Sequence, residues 1–226
     1  MKKVIALILA MMTLASLAAC GNHSDNKQPN TNSNTSQTEE NHKEEIKNAS
    51  PTEIEAAIAK ALGDGYLATV DVPEDEIQTS ALGGLDMEKV DGYIIKQAVI
   101  PSVDLDTVVI VNCKAGYADE AVKCLNESYA NTISYIRQYP FGVAKVEGAR
   151  LYKIGDTVIY VIAGASAEEG SSAEEEAKLA ADEYDKIDAA IKEVCGILPE
   201  NLAVIPEDSG NTGGLFADDD MPVVGG

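Results

Sequence analysis

Residues 149–163 read ARLYKIGDTVIYVIA, in which two apolar runs flank the pair Gly155-Asp156. Both runs are rich in Val, Ile, Leu and Tyr, which are residue types that favour strands. A two-residue turn that contains glycine closes a tight hairpin, because glycine accepts a positive φ at little cost. This stretch therefore predicts two antiparallel strands, at residues 149–154 and 157–163.

A second strand pair and a central helix are predicted upstream of this hairpin. Residues 92–100 and 107–115 are rich in Val and Ile and are predicted to pair antiparallel. Over residues 117–138, apolar side chains recur at spacings of three and four. This period predicts a helix, and Pro140 lies just past its end.

Serine-led capping signals mark the starts of a first and a last helix. Ser50 and Glu53 match a capping box, and the helix that they open is predicted to stop at Gly63. The pair Ser171-Ser172 precedes a cluster of glutamates and offers two overlapping capping boxes. The last helix is predicted to run to about Gly196.

The order of these elements is helix, strand, strand, helix, strand, strand, helix, which predicts an α+β fold. We expect a two-layer sandwich in which helices pack on one face of an antiparallel sheet of about four strands. Residues 50–205 are predicted to form this single domain, which is long enough to bury one core.

The amino end predicts export and lipid attachment. Two lysines precede an uncharged apolar run of fourteen residues, 4–17, and Leu17-Ala18-Ala19-Cys20 follows. Such a run makes about 21 Å of helix, less than the roughly 30 Å of a hydrocarbon core, so residues 1–19 are interpreted as a signal peptide. The tetrapeptide resembles the lipobox of bacterial lipoproteins. That resemblance implies a diacylglycerol on Cys20 and a location on the outer face of the cell membrane.

Both flanks of the predicted domain lack the residues that build a core. Residues 21–43 contain no aliphatic or aromatic side chain, so residues 20–49 are predicted to form a disordered, lipid-anchored tether. Residues 206–226 hold the run Asp218-Asp219-Asp220 and end in two glycines. They are predicted to form an acidic disordered tail.

Charge and histidine content exclude several classes of function. With 17 Lys and Arg against 38 Asp and Glu, the net charge of −21 would repel a nucleic-acid backbone. The two histidines, His23 and His42, both lie in the predicted tether. We therefore predict no nucleic-acid partner, no metal, no cofactor and no histidine-based catalytic site in the domain.

Residues 139–162 resemble a known family. The pair Tyr139-Pro140, the run AKVEGARLY at 144–152 and the run GDTVIYVI at 155–162 are similar to the domain of unknown function 4358 family. Its members are lipoproteins of low-GC Gram-positive bacteria with a lipobox, a polar tether and a glycine-turned hairpin. The resemblance covers about residues 54–165 and implies a location and a fold. Because the family has no assigned activity, it implies no catalytic residue.

Two hypotheses of function remain for the domain. The preferred one is a non-catalytic domain that binds a protein or ligand of the cell envelope. The alternative is a hydrolase of cell-envelope polymers that uses paired carboxylates, because that chemistry needs no histidine. The acids concentrate at residues 168–188 at helical spacing, which is typical of a solvated helix face. A close pair of buried acids in a cleft would favour the hydrolase, and an exposed apolar patch would favour binding.

Three aromatic residues are the candidate binding residues. Tyr135, Tyr139 and Phe141 gather around the predicted end of the central helix. They form either a recognition surface on a rigid loop or a plug in the open end of the sheet.

Three cysteines remain besides Cys20, which are Cys113, Cys124 and Cys195. They are interpreted as small apolar packing residues, and a disulfide between Cys113 and Cys124 is the alternative.

Overall fold

The structure is a computed structural model of the whole chain. The predicted signal peptide, Cys20 and most of the predicted tether lie outside the residues that it describes, as do Pro140, Phe141 and most of the predicted tail. The described residues are 45–77, 82, 84–139, 142–168 and 170–207.

A five-stranded, fully antiparallel sheet forms the centre of the described domain, with the strand order β1-β2-β3-β5-β4. The predicted hairpin is confirmed: Gly155 adopts a φ of 61° in the turn, and Ile154 pairs with Thr157 directly beside it. The strands are β1 (Val70–Asp71), β2 (Val90–Gln97), β3 (Thr107–Cys113), β4 (Arg150–Ile154) and β5 (Thr157–Ile162).

Helices pack on the sheet, which confirms the α+β class. The predicted helices are present, and each capping box has the expected hydrogen bonds, from Ser50 to Glu53 and from Ser172 to Glu175. Two short helices were not predicted, because four or five residues carry no readable period. The helices are α1 (Pro51–Leu62), α2 (Glu74–Ile77), α3 (Ala118–Ile136), α4 (Val143–Glu147) and α5 (Ala173–Cys195).

Helices cover both faces of the sheet, whereas the sequence predicted one covered face and about four strands. α3 packs on one face through residues such as Leu125 and Ile133. α1 and α5 pack on the other face through residues such as Ile58 and Ile187. The physical reason lies in β3, where the side chains at 108–111 are all buried, alternating between the two faces. A strand with a continuous apolar run is typical of a sheet that is covered on both sides.

The outer edge of β4 is covered by the segment that follows α5. The Leu202 amide donates to the Leu151 carbonyl at 2.7 Å, and the Leu151 amide donates to the side chain of Asn201 at 2.8 Å. Asn126 of α3 accepts from the Val204 amide at 2.8 Å on the same segment. These bonds protect an edge strand that would otherwise offer free backbone groups to another chain.

We expect Ser50→Ala to lower the free energy of unfolding by about 1 kcal/mol, because the substitution leaves the amide of Glu53 without its side-chain acceptor. Urea unfolding of the domain measures this change. The same substitution at Ser134, an exposed position inside α3, is the control, and we expect it to stay within about 0.5 kcal/mol of the parent. Equal effects at the two positions would contradict the capping role of Ser50.

Candidate functional site

Two of the three candidate binding residues form an exposed aromatic pair at the end of α3. Tyr135 is 38% exposed and Tyr139 is 42% exposed. Their ring centroids lie 5.1 Å apart with the planes at 53°. A hydrogen bond with Tyr139 raises the pKa of Tyr135 above its usual value. Phe141 lies outside the described residues. Tyr135 and Tyr139 both face solvent, which favours a recognition surface over a plug at these two positions.

The chain around this pair is firmly held. Arg137, between the two tyrosines, donates to the Glu147 carboxylate at 2.9 Å and to the Pro206 carbonyl at 3.1 Å. Ile136 turns inward and joins the core on the α3 face. The tyrosine pair is therefore presented from a fixed helix end, which limits the entropy lost when a partner binds.

A cavity of about 240 Å³ lies between α3 and the sheet, next to the loop that joins β2 and β3. Ser128 and Thr132 of α3 line it and continue in sequence to Tyr135 and Tyr139 at spacings of four, three and four residues. Ser128, Thr132 and Tyr135 form one stripe along α3, so the cavity wall and Tyr135 share a side of the helix, and Tyr139 follows just past the helix end. The other described residues that line it are Val72, Leu82, Gln97, Pro101, Leu105, Thr107 and Tyr160.

The polar side chains that the structure describes in this cavity are uncharged. Burial raises the pKa of Tyr160 well above its usual value, and hydrogen bonding with Thr132 offsets this only in part, so its phenol stays protonated. The hydroxyls of Thr107 and Thr132 each donate to a backbone carbonyl at 3.2 Å, to Leu105 and Ser128 respectively. Thr107 therefore keeps its lone pairs available to accept from a bound molecule, and Thr132 keeps one besides the lone pair that takes part in its hydrogen bond with Tyr160.

The loop that joins β2 and β3 presents aliphatic side chains to solvent beside the cavity. Val99 is 72% exposed, Ile100 is 55% exposed and Val103 is 70% exposed. Pro101, in the same loop, lines the cavity. A cluster of exposed apolar residues at the mouth of a cavity is typical of a binding site.

A close pair of buried acids would favour the hydrolase alternative. Among the described residues, each buried acid instead forms an ion pair with a lysine. The Glu55 carboxylate also accepts from the Tyr66 hydroxyl at 2.7 Å. A carboxylate pair raises one pKa by mutual repulsion, whereas a lysine neutralises the acid that it contacts. The pairs are Glu55 with Lys96 at 3.1 Å, Asp106 with Lys145, and Glu183 with Lys186 at 2.5 Å.

The Asp106–Lys145 pair is the most deeply buried of the three. Asp106 is 0% exposed, and its Oδ1 has no hydrogen-bond partner among the described residues. Burial raises the pKa of Asp106, while the charge and hydrogen bond of Lys145 and the Gly164 amide act in the opposite direction. Lys145 also lies 3.3 Å from the Ser166 hydroxyl. An ammonium group that donates to a carboxylate and a hydroxyl offers no lone pair for activating a serine, so this pair is interpreted as structural.

The three cysteines of the domain are free thiols, so the predicted alternative of a Cys113–Cys124 disulfide is wrong for this structure. Cys113 and Cys195 are buried, as expected of packing residues, and burial raises the pKa of Cys113 to about 11. The Cys124 thiol lies 3.0 Å from the Gly84 carbonyl. Within the described residues, no group of three or more His, Cys, Asp or Glu side chains is arranged to hold a metal ion.

Comparison of the chain with protein-family models, curated proteins and solved structures finds no match. The resemblance to the domain of unknown function 4358 family therefore remains a prediction from the sequence.

Proposed function

We propose that this chain is a lipoprotein held on the outer face of a cell membrane by a diacylglycerol on Cys20, and that its domain is a non-catalytic binding module. The lipobox at 17–20 and the polar tether that follows support the anchoring. Among the helices of the described residues, none has the length and apolar character needed to span a bilayer.

The exposed tyrosine pair carries the binding half of the proposal. The rings of Tyr135 and Tyr139 contact each other with centroids 5.1 Å apart, at a helix end that Arg137 ties to two other segments. Tyrosines supply a large contact area and a hydrogen-bonding hydroxyl at low entropic cost, which is why they are frequent at the centres of interfaces. The partner that fits this surface is a protein or ligand of the cell envelope within reach of the tether.

The buried acids support binding over the hydrolase alternative. A hydrolase with paired carboxylates needs one acid to stay protonated and the second to act as a base or nucleophile across a short gap. In the described domain, Glu55, Asp106 and Glu183 are instead each neutralised by a lysine. The raised pKa of Asp106 comes first from burial, and the neighbouring Asp104 is the smallest of its causes.

We expect Cys20→Ala to abolish lipid attachment and the processing that depends on it, because the thiol is the acceptor of the lipid. Metabolic labelling with a fatty-acid analogue measures the attachment, and the mass of the mature chain measures the processing. Cys124→Ala is the matched control and should label like the parent, since that thiol lies in the folded domain. Labelling of the Cys20→Ala chain at the parental level would contradict the anchoring proposal.

A further inference from the structure

We propose that the cavity between α3 and the β2–β3 loop binds a small uncharged molecule in which an apolar ring or short chain carries a hydroxyl or amide group. This inference rests on the proposed function, because it names the class of ligand that the binding module takes. The cavity is lined by Thr132 of α3, which lies about one helical turn before Tyr135.

The size of the cavity limits the ligand to about one ring with a small substituent. Its volume is about 240 Å³. An apolar cavity of roughly 150 Å³ is enough to hold benzene, and pockets for drug-sized ligands begin at about 300 Å³. A monocyclic molecule therefore fits with room to spare, and a larger molecule fits only if part of it extends past the loop.

The lining of the cavity predicts a ligand with both apolar and hydrogen-bonding parts. Val72, Leu82 and Leu105 offer apolar surface. Thr107 and Thr132 donate their protons to backbone carbonyls, so Thr107 presents its acceptor lone pairs and Thr132 presents the one that Tyr160 leaves free. A ligand hydroxyl or amide N–H can donate to these oxygens and replace water without leaving a buried polar group unpaired.

The charge of the site excludes ionic ligands. Among the described residues that line the cavity, none has a charged side chain. A buried ion without a counter-charge costs several kcal/mol, whereas a buried hydroxyl that is hydrogen-bonded costs little. Asp106 immediately precedes Thr107 at the start of β3, but its carboxylate is already paired with Lys145 and supplies no free charge.

The surroundings of the mouth extend the apolar surface beyond the cavity. Val99, Ile100 and Val103 are exposed in the loop that contributes Pro101 to the lining. Tyr135 continues the α3 stripe that contributes Ser128 and Thr132. An uncharged amphipathic molecule can therefore place its polar group inside and its apolar remainder against the loop.

Phenol is the probe for this proposal, with benzoate as its charged counterpart of similar shape. We expect phenol to cause saturable amide shifts at Thr107 and Thr132 in the ¹H–¹⁵N spectrum of the domain, with a Kd on the order of 1 mM. Benzoate should bind at least about tenfold more weakly, because its carboxylate would lose its hydration inside an uncharged cavity. Equal affinity for both probes, or no saturation by phenol up to about 20 mM, would overturn the proposal.

A matched pair of serine substitutions locates the binding. Ser128→Leu fills the cavity and should weaken phenol binding at least about tenfold, while Ser134→Leu makes the same change on the solvent side of α3 and should alter the Kd less than about twofold. Thr132→Val keeps the shape and removes one acceptor, so about three- to tenfold weaker binding is expected even where Ser128→Leu folds poorly. An unchanged Kd in Thr132→Val would contradict the assignment of the hydroxyl.

The outcome for the cavity can be separated from the outcome for the proposed function. Phenol binding that fills the cavity, with no partner found at Tyr139 in cells, would support this inference and overturn the partner surface. A partner at Tyr139 without phenol binding would support the surface and overturn the inference about the cavity.

Discussion

Lys145→Met is expected to lower the free energy of unfolding by about 3–5 kcal/mol, because the substitution leaves Asp106 buried without its counter-charge. Both side chains are shielded from solvent, and Oδ1 of Asp106 already lacks a hydrogen-bond partner. Urea unfolding at pH 7 measures the loss. The control is the double variant Asp106→Asn/Lys145→Met, which removes both charges together and should recover most of the stability.

The pH dependence of this loss has a definite sign. Burial raises the pKa of Asp106 in the folded domain above its unfolded value of about 3.9. A group with a raised folded pKa stabilises the fold most below its unfolded pKa, and this contribution is lost as the pH rises through the folded pKa. Without Lys145, the folded pKa rises further, so the Lys145→Met deficit should be smaller at pH 4 than at pH 7. A deficit that grows toward pH 4 would contradict the interpretation of the pair.

Ile187→Ala is expected to lower the free energy of unfolding by about 2–5 kcal/mol, because it removes a side chain at the interface between α5 and the sheet. Ile187 is 0% exposed in the core cluster on the α1 and α5 face. The loss combines a transfer term with the cavity that the deletion leaves. Thermal and urea unfolding both measure it.

Ile100→Ala is the matched control for Ile187→Ala, because the same side chain is 55% exposed in the β2–β3 loop. It should change the free energy of unfolding by less than about 0.5 kcal/mol. An unchanged melting temperature for Ile187→Ala would mean that α5 does not pack on the sheet.

Features of the fold that depend on neighbours in sequence could be predicted. The hairpin requires only two apolar runs and a glycine that accepts the φ of 61° at Gly155. The capping boxes require only a serine and a glutamate three residues apart, as at Ser50 and Glu53. The end of α5 at Gly196 likewise follows from one left-handed glycine.

Features that depend on the meeting of distant segments could not be predicted. The continuous apolar run of β3 indicates a buried strand. Which helix covers each face depends on how the chain connects the strands and helices, and the run itself does not show this. β1 has two residues, Val70 and Asp71, and forms only because β2 offers it an edge. The ion pair of Asp106 with Lys145 joins two residues that are 39 positions apart, and neither position carries a local signal.

The part of the candidate site that depends on neighbours in sequence could be predicted, and the part that depends on distant segments could not. Tyr135 lies in the last turn of α3 and Tyr139 lies three residues past its end, so their proximity follows from their closeness in sequence. The cavity is lined by residues from segments that are distant in sequence, among them α3, the β2–β3 loop and β5, which contributes Tyr160. The sequence alone does not show whether the hydroxyls of Ser128 and Thr132 face a cavity or solvent.

Site-specific photo-crosslinking in intact cells tests the central claim, that a membrane-anchored domain binds an envelope partner through the end of α3. A benzophenone side chain replaces Tyr139, which is exposed just past the end of α3, and the control replaces Lys123, an exposed residue within α3. We expect a discrete covalent adduct from position 139, none from position 123, and loss of the adduct when Cys20→Ala removes the anchor. No adduct from position 139, or the same adducts from both positions, would contradict the claim.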